Sequence, residues 1–444
     1  MNVELSGHYT VGRLVRTSLP IIAMMIVTSV YSIVDGYFVS NFAGSTEFAA
    51  LNLVWPALAL ISAIGLMVGT GGSALVSKTL GEGNKEKACS LFTQLIQVCL
   101  ASGVIFTVLL FVFMRPMVIA LGAEGDMVDL AVRYGRIVVV SMPTFILQMA
   151  FQSFFMVAER PQNGTRMSII CGCLNIALDA LFVVVFKWGL TGAAIATSAA
   201  LVAGGVYPLA FFASKKNDTQ LKLVKFKGFD IASLIKTCTN GMSEYIGNIA
   251  LNIVSIGYNL QLMKYIGENG VSAYGIIMYV GFIFAAVFIG YNICVSQVIS
   301  FNFGAGNRGE LRSLLRKSLL IISIAGVVLT LTSELSAPLL AKIFVGYDPD
   351  LCILTVRALR IYMLSFLLCG FNMFCSAWFT ALNNGLVSAV AAFVRTLVFE
   401  LVTVFILPGL VGIDGIWCSV CVAEVLAFVL SAILVLSYRK RYIS

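Results

Sequence analysis

Stretches of twenty or more mostly apolar residues recur along the whole of this 444-residue chain, and no other feature constrains its fold as strongly. Twelve are read: 14–40, 48–76, 90–114, 130–157, 165–186, 190–213, 234–263, 271–301, 314–337, 353–380, 386–407 and 413–437. Each can cross a hydrocarbon core of ~30 Å. In lipid every backbone N–H and C=O must find its partner within the protein, so segments of this length are helices and not open strands. Charged residues make up 11% of the chain, against roughly 25% in a soluble domain. The chain reads as an all-α integral membrane protein. Its first apolar run is too long for the core of a cleavable signal.

The net charge of +8 is unevenly placed. With the N-terminus on the cytoplasmic side, the termini and inward gaps carry 20 Lys and Arg, among them Lys78, Arg160, Arg166, Lys215, Lys216, Lys227 and Arg308. The opposite gaps carry 8, such as Arg115, Lys187 and Arg357. That is the positive-inside pattern with both termini cytoplasmic. The surplus is a topology signal, and no nucleic-acid partner is expected. Eleven cysteines sit mostly inside the spans with a single histidine, His8, so they read as small hydrophobes and not as metal ligands.

Shifting the chain by 223 positions aligns its two halves. Gly44 falls on Gly267 and Ala50 on Ala273. LGEGN (80–84) falls on FGAGN (303–307), Ala158 on Ala381, and Gly189 and Gly192 on Gly412 and Gly415. The expectation is two six-helix bundles of one topology, 1–213 and 234–444, related by an axis along the membrane normal. The polar segment 214–233 would be a cytoplasmic tether between them.

No nucleotide-binding loop is present: GTGGSALVSK (69–78) lacks the phosphate-loop spacing and lies inside a span. Energy for any transport would come from an ion gradient. Carboxylates within spans are expensive and mark function. Asp35, in SIVDGYFVS, and Asp179, in LNIALD, lie on spans one and five, which both run outward and bring them to similar depth. Asn175 shares a helix face with Asp179, and Thr197 of span six reaches the same depth. Two carboxylates, an amide and a hydroxyl can bind Na⁺ or hold a proton. The matching positions in the second half are Tyr258 and Val402, so the scaffold itself does not require these acids. That half has Glu244, Asn248, Asn252 and Asn259 along span seven, with Arg395, Glu400 and Glu424 further on. Arg395 is expected to pair with an acid. Pro20 and Pro143 are expected to kink spans one and four. Tyr37, Gln148, Phe151, Gln152 and Phe155, with Glu244, Asn248 and Asn252, are candidates for a pocket taking flat apolar cations.

Twelve spans as a six-plus-six repeat, the LP of span one, SIVDGYFVS, LGEGN, LNIALD and GLTGAAIAT together resemble the multidrug and toxic compound extrusion (MATE) family. The resemblance covers nearly the whole chain. It implies a V-shaped pair of six-helix lobes in the bacterial cytoplasmic (inner) membrane, working as a monomer that exports drugs or organic cations in exchange for H⁺ or Na⁺, with no other cofactor. In the branch whose ion site lies in the N-terminal lobe, the matching positions here are Asp35, Asn175, Asp179 and Thr197, with Pro20 as the kink-forming proline of span one. Span ten offers Asn372 and no acid, unlike relatives with a C-terminal ion site. Two other readings are a lipid-linked oligosaccharide flippase, which needs a basic cavity, and an intramembrane aspartyl protease, whose Y-D and G-x-G-D contexts are missing.

Overall fold

The computed structural model describes residues 4–214, 217–225, 228–346 and 348–443; Lys215, Lys216 and Lys227 of the linker lie outside these. Every predicted span is helical. In the N-terminal half the helices are α1 (Val11–Phe38), α2 (Ser45–Gly81), α3 (Lys85–Ala120), α4 (Asp126–Val139), α5 (Met142–Val157), α6 (Pro161–Asp179) and α7 (Gly189–Ala213). The C-terminal half has α8 (Ile231–Tyr265), α9 (Glu268–Gly304), α10 (Arg308–Val345), α11 (Pro349–Met363), α12 (Phe366–Ala381), α13 (Gly385–Phe393), α14 (Glu400–Val411) and α15 (Ile413–Ile443). Nine continuous helices among the described residues are long and apolar enough to span a bilayer, and two bent pairs, α4/α5 and α11/α12, make two more. The polar α8, with 35 residues, completes twelve. They form two bundles of six spans.

The repeat is built into local structure. Asn84 and Asn307 cap α3 and α10 by accepting from the N–H of Lys87 (3.0 Å) and Glu310 (3.1 Å), positions one repeat apart. Gly83 and Gly306 turn the chain before these caps at φ of 81° and 69°, where a side chain would be strained. Span four breaks by 58° between α4 and α5, where Pro143 opens the second helix. Span ten breaks by 46° at the matching place with no proline to announce it. Pro20, in contrast, does not interrupt its span: α1 continues through it, and Thr165 Oγ1 donates to the Pro20 carbonyl at 2.5 Å. A hydroxyl of the neighbouring helix α6 thus ties itself to α1 at the proline.

The bundles meet through α1, α2, α8 and α9, and the meeting is close-packed at the end that carries both termini. A Cβ on Gly81 would overlap the carbonyl of Phe301, and one on Gly304 would overlap that of Lys78, the same contact one repeat apart. Ser77 Oγ donates to Gln297 O (2.8 Å) and Ser300 Oγ to Ala74 O (2.5 Å), again a repeat-related pair. Small residues that let membrane helices approach backbone to backbone are the usual means of such packing. An N-terminal arm crosses the same end. Leu5 N–H donates to Glu159 of the first bundle (2.8 Å), while Tyr9 N–H donates to Glu310 Oε1 of the second (2.9 Å) and His8 Nδ1 lies 2.6 Å from Glu310 Oε2. Toward the far end α1 exposes Tyr37 (58%), and α8 exposes Glu244 and Asn252 along its middle. An exposed carboxylate on a span cannot face lipid cheaply, so this surface borders an open space between bundles.

The linker leaves α7 and docks on α3. Cys89 Sγ donates to Gln220 O, Val224 N–H to Thr93 Oγ1 (3.0 Å), and Gln94 both donates to Asp230 O (3.0 Å) and accepts from its N–H (3.2 Å).

Candidate functional site

The four polar residues singled out in the N-terminal half come together. Asp35 lies three residues before the end of α1, and Asp179 is the last residue of α6. At both places the helix widens into a π-helical segment, Val39–Ala43 beyond Asp35 and Ala180–Val185 directly after Asp179. Wide turns of this kind shift the register of side chains on either side and recur at functional sites. Thr197 Oγ1 of α7 donates to Asp35 Oδ1 at 3.4 Å. Asp35 is also within side-chain hydrogen-bonding reach of Asp179 and Asn175.

Burial makes this group chemically unusual. Asp179 is fully buried, and Asn175 and Thr197 are 2% and 7% exposed. Both carboxylate oxygens of Asp179 and Oδ1 of Asn175 are nevertheless without a donor. Buried oxygens are normally satisfied, and a carboxylate without a donor is among the costliest exceptions. Three unserved oxygen atoms beside a second carboxylate form the donor set that a hard cation or a shared proton would complete.

Two further residues belong here that sequence reasoning placed elsewhere or missed. Tyr134 of α4 is 1% exposed, its hydroxyl has no partner, and it lies within electrostatic range of both Asp35 and Asp179. Its only sequence signal is that it is a polar-tipped residue on the buried face of α4, whose other members are mostly Val, Ala and Gly. Gln148 was a substrate-pocket candidate; it is 1% exposed, lies within side-chain hydrogen-bonding reach of Tyr31, and leaves its Oε1 unpartnered. It therefore sits one ring behind Asp35, since Tyr31 in turn feels the Asp35 charge.

The other pocket candidates divide. Phe151 and Phe155 are 0% and 1% exposed and stack on Phe212, each at 5.4 Å between ring centres, with Phe92 alongside Phe151 and Phe154. Gln152 is 4% exposed next to them. The face of α5 that carries these three packs inward on α3 and α7. Glu244 and Asn252 are exposed and Asn248 is half-buried. Asn248 and Asn252 donate back to Glu244 O (3.0 Å) and Asn248 O (2.9 Å) of their own helix.

The C-terminal bundle deals with its charges differently. Arg395 grips Glu424 through Nε (3.0 Å) and Nη2 (2.6 Å), Asn372 donates to the other Glu424 oxygen (2.5 Å), and Ser431 donates to Asn372 (2.9 Å). Tyr258, the counterpart of Asp35, is fully buried and hydrogen-bonded to Ser419 at 2.8 Å. One bundle supplies a guanidinium to its buried carboxylate. The other presents two carboxylates, and among the described residues no Lys or Arg pairs with either.

With this geometry in hand, the chain can be set beside known proteins. The MatE family model matches residues 20–181 and 245–406, one stretch in each bundle. The chain is 23% identical over 424 residues to the multidrug export protein MepA of Staphylococcus haemolyticus, an alignment covering 96% of this chain and 93% of the relative. MepA of Staphylococcus aureus is 23% identical over 426 residues, with the same coverage of 96% and 93%. Among solved structures, the outward-facing conformation of a multidrug resistance MATE family transporter of the MOP superfamily superposes with a TM-score of 0.91 at 22% identity, over 98% of both chains. A MOP superfamily transporter from Pyrococcus furiosus, described by a binding pocket of reverse polarity, superposes at 0.90 with 22% identity over 98% of both chains. At such identities the structural likeness speaks for the fold.

Proposed function

The chain belongs to the MatE family, and from that premise we propose that it is a secondary active antiporter exporting small organic compounds, often cationic, in exchange for H⁺ or Na⁺. One observation carries the reading: the buried, donor-less oxygens of Asp179 and Asn175 beside Asp35 and Thr197. A site so short of positive charge gains free energy by taking up a cation, and the cation it takes from the outside would be the coupling ion. The open end, away from the termini, is the extracellular side in this reading, in keeping with the positive-inside bias.

Alternating access then follows from what each residue can do. Asp35 lies on α1, which packs along α9 of the other bundle, so its charge state bears on a helix shared by both halves. With the cation absent, the two carboxylates repel and leave the site receptive. When Asp35 and Asp179 share a cation or proton, α1 and α6 draw together and the surface offered to a cationic substrate loses its negative charge. Ion entry thus favours substrate release to the outside, and ion loss to the cytoplasm resets the site. Glu244, Asn248 and Asn252 would meet the substrate in the open space. The flippase alternative is disfavoured by one fact: Arg395, the guanidinium such a cavity would use, is engaged by Glu424.

Reconstituted vesicles test this. Efflux of an ethidium-type dye should be driven by an imposed Na⁺ gradient or an imposed pH gradient, and by one more than the other. Dye flux that is indifferent to both gradients contradicts antiport.

A further inference from the structure

At the end that carries the termini, a cavity of about 430 Å³ opens between the start of α6 and the end of α7. Arg160 lines it from just before α6, Gln162, Asn163 and Arg166 from α6, Tyr207 and Phe211 from α7, and Asp218 from the linker. None of these serves the ion site, and their order along the groove is informative. Arg160 and Phe211 stand at the helix ends, Arg166 and Tyr207 lie a turn or more further in, and the exposed apolar faces of both helices follow toward the bilayer centre: Ile169 and Ile170 on α6, Val202 and Val206 on α7, each 43–49% exposed. Phosphate-binding groups interleaved with interfacial aromatics at the rim, and an apolar track beyond them, match a phospholipid read from its headgroup to its chains.

Charge narrows the class. Arg160 is bonded to Asp218 at 2.6 Å, which neutralises it and straps the linker to the rim. Arg166 is exposed, makes one long bond to Asn163 Oδ1 at 3.5 Å, and has no carboxylate partner among the described residues. The lining therefore carries one unit of positive charge in excess, which matches the single negative charge of a phosphodiester. A guanidinium fork is the side chain best suited to hold one. We propose that this groove is a binding site for one anionic phospholipid of the phosphatidylglycerol type, its phosphodiester on Arg166 and its chains along α6 and α7. The lipid would sit against Asp218 and so stiffen the docked linker on the first bundle. This inference requires only that the chain spans a bilayer and stands or falls apart from the antiport reading.

Native mass spectrometry of the full chain, released from nanodiscs containing equal phosphatidylglycerol and phosphatidylcholine, tests it. The intact protein should retain one phosphatidylglycerol in preference to phosphatidylcholine. Arg166→Ala should reduce that retention about tenfold, as losing one charge-assisted hydrogen bond would, and Arg166→Lys should reduce it less. Arg166 is exposed, so both variants should keep the thermal unfolding profile of the parent, which serves as the folding control. Added inorganic phosphate or glycerophosphoglycerol, which share the anion but lack chains, should not displace the lipid. Equal retention of both lipids, retention unchanged in Arg166→Ala, or displacement by inorganic phosphate would each overturn the assignment.

Discussion

Asp179 has the most demanding surroundings in the molecule: no exposure, no donor, and a second carboxylate within reach. Replacing it with Asn keeps the shape and removes the charge, so Asp179→Asn should leave unfolding temperature within a few degrees and eliminate ion-coupled export. Thr197→Ala removes a single 3.4 Å hydrogen bond and should weaken coupling only severalfold, measured as the gradient needed for half-maximal efflux. Arg395 calls for the opposite expectation. Arg395→Ala strands the Glu424 carboxylate, whose side chain is 8% exposed, and a broken buried pair costs about 3–5 kcal/mol. Joint replacement, Arg395→Met with Glu424→Leu, should recover most of that loss in a thermal unfolding assay; no recovery would show that the pair does more than neutralise itself. Asp35, Asn175, Asp179 and Thr197 were legible in the chain because polar groups in apolar spans stand out and depth can be counted. Tyr134 and Gln148 were not, since a tyrosine or glutamine in a span reads equally as packing. Phe151 and Phe155 show the same ambiguity: an aromatic pair at i, i+4 marks a shared face but not what that face meets, here the ring of Phe212.

Helices and their interruptions show the same division. Twelve spans, the caps at Asn84 and Asn307 and the break at Pro143 follow from residue chemistry that acts locally. The π-helical segments after α1, α6 and α13 and the 46° break of span ten have no local signature, because they answer to how neighbouring helices pack. Pro20 leaves α1 continuous, and a hydroxyl from α6 bonds its carbonyl. The linker also turned out to be docked along α3 for part of its length, through Gln94 and Thr93. Asp230 ends it and caps α8, and the hydroxyl and N–H of Ser233 hold its carboxyl below the usual carboxylate range. A depressed carboxyl stabilises the fold above its unfolded value and loses that effect as pH falls through the folded one. Asp230→Ala, or acidification through the folded value of its carboxyl, should therefore lower amide protection in residues 231–234, measured as exchange relative to the intrinsic rate at the same pH. Unchanged exchange under both would mean the cap contributes nothing.

Taken together, the two bundles are clamped at one end by repeat-related contacts and bridged there by the N-terminal arm. Opening that end means separating Gly81 from Phe301 and Gly304 from Lys78, and breaking the Ser77, Ser300 and Glu310 hydrogen bonds. Each such bond is worth about 1 kcal/mol or less in a membrane, so the clamp is strong enough to hold one state and weak enough to be reversed. Glu310→Ala removes the acceptor for Tyr9 N–H and the partner of His8, and limited proteolysis should then cut the arm faster than in the parent. The repeat could be found by shifting the chain; that its halves would meet through those same glycines and serines could not, since only the fold brings them face to face. In the proposed antiport cycle, release of the clamp is tied to the charge state of the N-terminal bundle. The most direct measurement is export of a cationic dye from proteoliposomes under the gradient that drives the parent protein, with Asp35→Asn compared at matched protein content. The account predicts robust gradient-driven export by the parent and a fall to the protein-free background in the variant, whose folding is preserved. Export by Asp35→Asn equal to that of the parent would contradict it.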